Sequence, residues 1–194
     1  SMTGADCAVN VADGATLTIG DGASIAGRGS VGGVTQTKVR IQTSQGTFDV
    51  LLHDVQTPLT VANFLQYVDD GLYDGTIIHR SMLGFVIQGG GFDGAGHAIE
   101  TFPAVSNEPG ISNTVGTIAM AKLPGDPDSA TSQWFINLAD NSANLDSQNG
   151  GFTVFGLVLG TGMNIVNQIA GLNVVDSSAV NPAFTNLPVD GSGN

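Results

Sequence analysis

Ile78-His79-Arg80-Ser81-Met82-Leu83-Gly84-Phe85-Val86-Ile87-Gln88-Gly89-Gly90-Gly91-Phe92 sets an arginine, a phenylalanine and a glutamine five and three residues apart, just ahead of a triple glycine, in an otherwise largely apolar run. The stretch reads as a strand pair lining a pocket. Beyond residue 40 the only cationic side chains are Arg80 and Lys122, in a chain with 17 acids and a formal charge of -12. A guanidinium is a rigid fork of donors that stays protonated, here placed among hydrophobes. Taken alone, it also fits a structural ion pair with one of the many aspartates.

Working outward, Lys38-Val39-Arg40-Ile41-Gln42 and Thr47-Phe48-Asp49-Val50-Leu51-Leu52 alternate with period two around the polar stop Ser44-Gln45-Gly46, which predicts a hairpin with one buried face. A helix follows, with Thr57 as N-cap, Pro58 at the first helical position, Val61, Phe64, Leu65 and Val68 on one stripe, and Gly71 as the stop. Ile118 to Ala121, Gln133 to Leu138 and Thr153 to Leu159 are further strand-like runs, and Met163 to Ala170 is a second helix ending at Gly171. The stretches 123–128 and 140–151 are punctuated by Pro, Gly, Asn and Asp, as loops are. Many short strands with two helices predict a mainly β fold, a closed antiparallel barrel capped at its ends.

A second set of residues gives the pocket stretch its context. Gly116-Thr117-Ile118-Ala119-Met120-Ala121-Lys122, then Ser129-Ala130-Thr131-Ser132-Gln133-Trp134-Phe135-Ile136-Asn137, then Leu145-Asp146 and Gly151-Phe152-Thr153-Val154-Phe155-Gly156, follow Arg80 in an order and spacing that closely resemble the cyclophilins, the cyclosporin-type peptidyl-prolyl cis-trans isomerases, in a bacterial-like form. The resemblance spans roughly residues 38 to 173 and implies an eight-stranded closed barrel with two capping helices. It also implies rotation about X-Pro bonds of unfolded or extended polypeptides, without cofactor or metal. Carried over residue by residue, Arg80 matches the catalytic arginine and Gln88 the carboxamide that holds the substrate carbonyl and orients it. Phe85, Phe135 and Leu145 match the walls of the proline pocket, Ala121 and Lys122 backbone groups that pair with an extended peptide, and Met120 and Gln133 the same groove. The chain departs from the human-type pattern at Val86, Lys122, Asn144 and Phe152, where that pattern has methionine, asparagine, the cyclosporin-linked tryptophan and a pocket histidine. These departures imply weak or no cyclosporin binding. They also motivate a rival reading, a non-catalytic proline-peptide-binding or scaffolding module on the same fold.

Composition narrows the classes. The chain of 194 residues is 41% hydrophobic and 11% charged, with mean hydropathy +0.18 and a pI near 4.1, which describes a packed globular protein with one sizeable core. Five Lys and Arg residues in all are too few for phosphate contacts, so nucleic acid is excluded as a partner. No apolar run approaches the roughly 20 residues of a membrane span. His53, His79 and His97 lack metal-ligand spacing, and His79 is expected to be a hydrogen-bonded structural residue. Asp126, Asp128 and Asp146 lack the spacing of an EF-hand and read as solvated turns. The triple glycine implies close backbone approach rather than a phosphate loop, since no helix start and no lysine follow.

The expected organisation is a Gly-rich extension over 1–36, with a candidate hairpin at Gly20-Asp21-Gly22, an isomerase-like domain over 37–175, and a Ser/Asn/Pro/Gly-rich tail over 176–194 in which Phe184 and Leu187 can dock. Ser1-Met2 has the look of an expression remnant, compatible with a signal removed ahead of residue 3. The single Cys7 decides no compartment. The scarcity of lysine suits a bacterial periplasmic or secreted setting better than the cytoplasm.

Overall fold

The computed structural model describes residues 7–8 and 36–190, so the candidate hairpin at residues 20–22 lies outside the described residues. The first hairpin forms as its alternation dictates. Strands β2 (Lys38–Thr43) and β3 (Gly46–Leu52) pair antiparallel and bury Val39, Ile41, Phe48, Val50 and Leu52. Helix α1 (Pro58–Asp69) lays Val61, Phe64 and Val68 on the core, with Leu65 half-buried beside them, and Gly71 breaks the run at φ +68°.

The cap of α1 differs from expectation. The Thr57 hydroxyl donates to the His53 carbonyl, 3.3 Å away, and makes no capping bond. The carboxylate of Glu108, 48 residues beyond Thr60, accepts instead from the amides of Leu59 (3.2 Å) and Thr60 (2.8 Å) and from the Thr60 hydroxyl (2.8 Å). An anion at a helix N-terminus satisfies orphan N–H groups and complements the macrodipole.

Five more strands complete the principal sheet: β4 (Arg80–Met82), β5 (Val86–Gly89), β6 (Thr117–Met120), β7 (Trp134–Asn137) and β8 (Val154–Val158). The order is β2-β3-β8-β6-β7-β5-β4, with the two-residue strand β1 (Cys7–Ala8) on the outer edge of β2. The sheet is a curled half-barrel, and the expected closed eight-stranded barrel is corrected: among the described residues the two edges do not pair. Each edge is occupied by other chain. Cys7–Ala8 takes the β2 edge, and on the β4 side the Ser81 amide donates to the Asn186 carbonyl at 2.8 Å. The helix count is corrected too. Besides α1 and α3 (Gly162–Ala170), a four-residue helix α2 (Ser142–Leu145) folds within the region expected to be loop.

Because side chains alternate along a strand, the central strands have two buried faces. Ile87, Ile118, Ile136, Met120 and Trp134 enter the main core with α1 and α3. Val86, Ala119, Phe135 and Val154 form a second cluster with Leu145 of α2. The triple glycine packs against Trp134 and its neighbours Ser132 and Gln133. Gly90 has φ +74°, and a Cβ there would lie 2.8 Å from the Ser132 carbonyl and 2.7 Å from the Trp134 ring nitrogen. Close approach in a left-handed conformation is a glycine position. Trp134 is fully buried, as a core residue.

The described part of the tail packs onto the sheet domain. Strands β9 (Asn173–Val175) and β10 (Leu187–Val189) pair, and Phe184 and Leu187 are buried against Ile77 and Phe92.

Candidate active site

Register assembles the site. Arg80 pairs with Gln88, Gln88 with Phe135, and Phe135 with Ala119, so one transverse row crosses β4, β5, β7 and β6 on a single face. Arg80 Nη1 donates to Gln88 Oε1 at 3.1 Å, Gln88 Nε2 donates to Gln133 Oε1 at 2.9 Å, and Arg80 Nη2 donates to the Met82 thioether. A Cβ on Gly91 would stand 2.7 Å from the Gln133 side chain, so the third glycine leaves room for that amide. Among the described residues Arg80 has no carboxylate partner, which removes the structural ion pair at this level. Burial lowers the Arg80 pKa, but a guanidinium remains charged regardless.

The row opens into a cleft of about 600 Å³ lined by Arg80, Phe85, Val86, Gln88, Ala121, Lys122, Gln133, Phe135, Leu145 and Phe152, together with His79, Pro124, Gln148, Pro182, Ala183 and Thr185. Phe135 and Phe152 meet edge to face at 5.7 Å, and Val86, Phe135 and Leu145 are buried in the floor. Of the sequence-derived residues, one does not join. Met120 is fully buried in the main core, opposite Trp134, because it faces the other way from its neighbours Ala119 and Ala121.

Lys122 is present but committed. Its Nζ donates to the carbonyls of Asn149 (2.9 Å) and Gly151 (2.6 Å) and sits 4.9 Å from the Phe152 ring centroid, a cation–π position. Burial lowers its pKa while Asp128 opposes that. The Ala121 amide donates to the Gln133 carbonyl at 2.9 Å, so it is taken inside the protein.

His79 is structural. It is buried beside Phe92, edge to face at 4.9 Å, and its Nδ1 has no partner among the described residues. Burial first, and the Arg80 charge second, push its pKa down to about 4, so it is neutral at pH 7. Among the described residues the cleft lining accordingly holds two cations, Arg80 and Lys122, and no carboxylate.

Two buried asparagines, Asn113 and Asn137, and the half-buried Asn141, which sequence reading passed over, support the walls. Asn141 Nδ2 donates to the Phe85 carbonyl (3.0 Å) and to Asn137 Oδ1 (2.7 Å), and Asn113 Nδ2 donates to Asp146 (3.0 Å) and the Phe152 carbonyl (3.2 Å). Asn137 closing an apolar strand was the available signal, since a buried carboxamide needs partners. Asp126, Asp128 and Asp146 accept backbone N–H groups and so hold loops rather than merely meeting solvent. Among the described residues no three His, Cys, Asp or Glu side chains assemble as a metal site, and no helix is long and apolar enough to cross a membrane.

Gln88 accepts from one arm of the guanidinium. Gln88→Ala is expected to loosen the Arg80 side chain, read as a narrowed Arg80 Nε–H NMR resonance with far-UV circular dichroism unchanged. An unaltered resonance would show that Arg80 is held by other contacts.

Comparison with known proteins places this geometry. Residues 38–187 match the family described as "Cyclophilin type peptidyl-prolyl cis-trans isomerase/CLD". The chain is 43% identical over 158 residues to peptidyl-prolyl cis-trans isomerase A of Dickeya dadantii, covering 79% of this chain and 80% of that protein. It is 40% identical over 140 residues to peptidyl-prolyl cis-trans isomerase B of Escherichia coli, covering 69% and 84%. The crystal structure of a cyclophilin-type isomerase of Cryptosporidium parvum, in the presence of the dipeptide Ala-Pro, superposes with TM-score 0.63 at 27% identity, covering 78% of this chain and 90% of that one.

Proposed function

The chain belongs to the cyclophilin-type peptidyl-prolyl cis-trans isomerase family, and from that premise we propose that Arg80 and Gln88 catalyse rotation about X-Pro bonds of extended polypeptides bound in the 600 Å³ cleft. The observation that carries the assignment is the row Arg80–Gln88–Phe135 on one face of the sheet, with the guanidinium above an apolar floor.

Rotating a peptide bond costs about 18–20 kcal/mol because conjugation is broken, and an unaided X-Pro bond takes tens to hundreds of seconds. No bond is made or broken, so neither nucleophile nor metal is required. In the twisted amide the prolyl nitrogen regains its lone pair and accepts a hydrogen bond that the planar amide cannot. A donor placed there binds the transition state more tightly than the ground state. One charge-assisted bond contributes about 1.5–3 kcal/mol, or one to two decades of rate. The remainder falls to the dry floor of Val86, Phe135 and Leu145, to the walls Phe85 and Phe152, and to Gln88 and Gln133 holding the peptide and the guanidinium. With the Ala121 amide already taken, pairing with a bound backbone falls to its carbonyl and to Lys122. With His79 neutral, Arg80 and Lys122 are the charged side chains of the cleft lining among the described residues.

Two negative expectations go with this reading. Asn144 is exposed and offers no indole, which favours weak cyclosporin binding. The formal charge of -12 disfavours nucleic acid. The test is an NMR exchange or protease-coupled assay on a proline tetrapeptide. Acceleration over the thermal rate is expected, and peptide binding without acceleration would establish the scaffolding alternative instead.

A further inference from the structure

The cleft has a wall that the strands do not supply. Pro182, Ala183 and Thr185 line it beside His79 and Arg80, although they lie 91 to 94 residues beyond Gly91 in sequence. The sheet order places them: β6, carrying Ala121 at its end, lies three strands from β4, and the tail lies on the β4 side through Ser81 N to Asn186 O. The tail therefore bounds the cleft at the end away from Ala121 and Lys122.

This wall is rigidly held. Side chains alternate between anchoring and lining: Phe184 and Leu187 are each 1% exposed, while Thr185 between them is exposed. Phe184 packs perpendicular to Phe92 at 5.1 Å and its carbonyl accepts from the Ser177 amide, while Asn181 Nδ2 reaches the Gly96 carbonyl. A wall fixed by buried anchors cannot move aside for a large group. Pro182, Ala183 and Thr185 carry no charge, so among the described residues the cleft lining at this end gives the guanidinium of Arg80 no counter-charge.

We propose that residues Pro182–Thr185 form the specificity wall of the cleft on the Arg80 side, admitting small uncharged residues next to the substrate proline and rejecting lysine or arginine there. The proposal rests on the isomerase reading of the same cleft, and deepens it by naming the substrate class.

Its test uses the full chain and two tetrapeptide series, one varied before the proline and one after it, with Ala, Lys, Glu or Trp at the varied position. Dissociation constants from NMR titration are read alongside kcat/KM. Thr185→Asp supplies the absent carboxylate and is expected to shift the Lys-to-Glu preference about five-fold or more toward Lys, a rim-charge effect near 1 kcal/mol. Thr185→Lys shifts it the other way. Both shifts appear in one series only, whereas a purely structural disturbance would move both alike. Phe184→Ala, which releases the wall, is expected to bring binding of the Trp peptide closer to that of the Ala peptide. Preferences within two-fold of the unsubstituted protein in both series, for folded Thr185 variants, would overturn the proposal. Selective binding without turnover would remove the isomerase reading while leaving the wall supported.

Discussion

Arg80→Ala is expected to lower kcat/KM on a proline tetrapeptide about ten-fold or more while the protein stays folded. The guanidinium makes no ion pair among the described residues, and its contacts within the protein are a carboxamide and a thioether. Removing it therefore breaks no buried charge pair, and stability loses little. On the proposed mechanism, catalysis is expected to lose the donor that distinguishes a twisted amide from a flat one, worth about 1.5–3 kcal/mol. Arg80→Lys is expected to recover only part of the loss, because an ammonium lacks the planar fork that bonds Gln88 and a substrate together. The reading divides kcat from KM: a fall carried by kcat marks a transition-state interaction, whereas a rise in KM alone would reassign Arg80 to ground-state binding. An unchanged rate in a folded Arg80→Ala variant would take Arg80 out of the mechanism.

The second large effect is on stability against pH, and it comes from the residue next door. His79 is buried, its pKa is pushed down to about 4 by burial and then by Arg80, and the unfolded chain would protonate it near 6.5. Between those values the unfolded state holds a proton that the folded state does not, so stability rises with pH across the window. The contribution is fully present above about pH 6.5 and is lost as pH falls toward 4, amounting to about 3 kcal/mol. Asp49, Asp93, Asp140, Asp146 and Asp176 have pKa values lowered below the ordinary carboxylate value, so their losses fall at lower pH. Urea midpoints at pH 7.5, 5.5 and 4.5 for the unsubstituted protein and His79→Leu separate the two. The variant is expected to lose most of the slope between pH 6.5 and 4.5, whatever its starting stability. Equal slopes would mean that His79 takes up its proton without leaving the fold.

His79 also shows how far a linear reading reaches. Its structural role follows from the absence of metal-ligand spacing, but the sign of its pKa shift depends on Phe92, Phe184 and Arg80 converging on it. The α1 cap is a parallel case. Thr57-Pro58 marks where the helix begins, while the groups that satisfy its first amides belong to Glu108.

Period-two alternation placed the hairpin 38–52, period-3.6 stripes placed α1 and α3, and the order of Arg80, Phe85, Gln88, Phe135 and Leu145 carried the family, because each depends on neighbours within a few residues or on spacing preserved along the chain. Tertiary structure alone decided the open edges, the turning of Met120 into the core, the fastening of Lys122 to Asn149 and Gly151, and the arrival of Pro182–Thr185 at the cleft. Those features are set by which strand neighbours which and by which face is buried, and pairing across tens of residues leaves no periodic trace in the segments it joins.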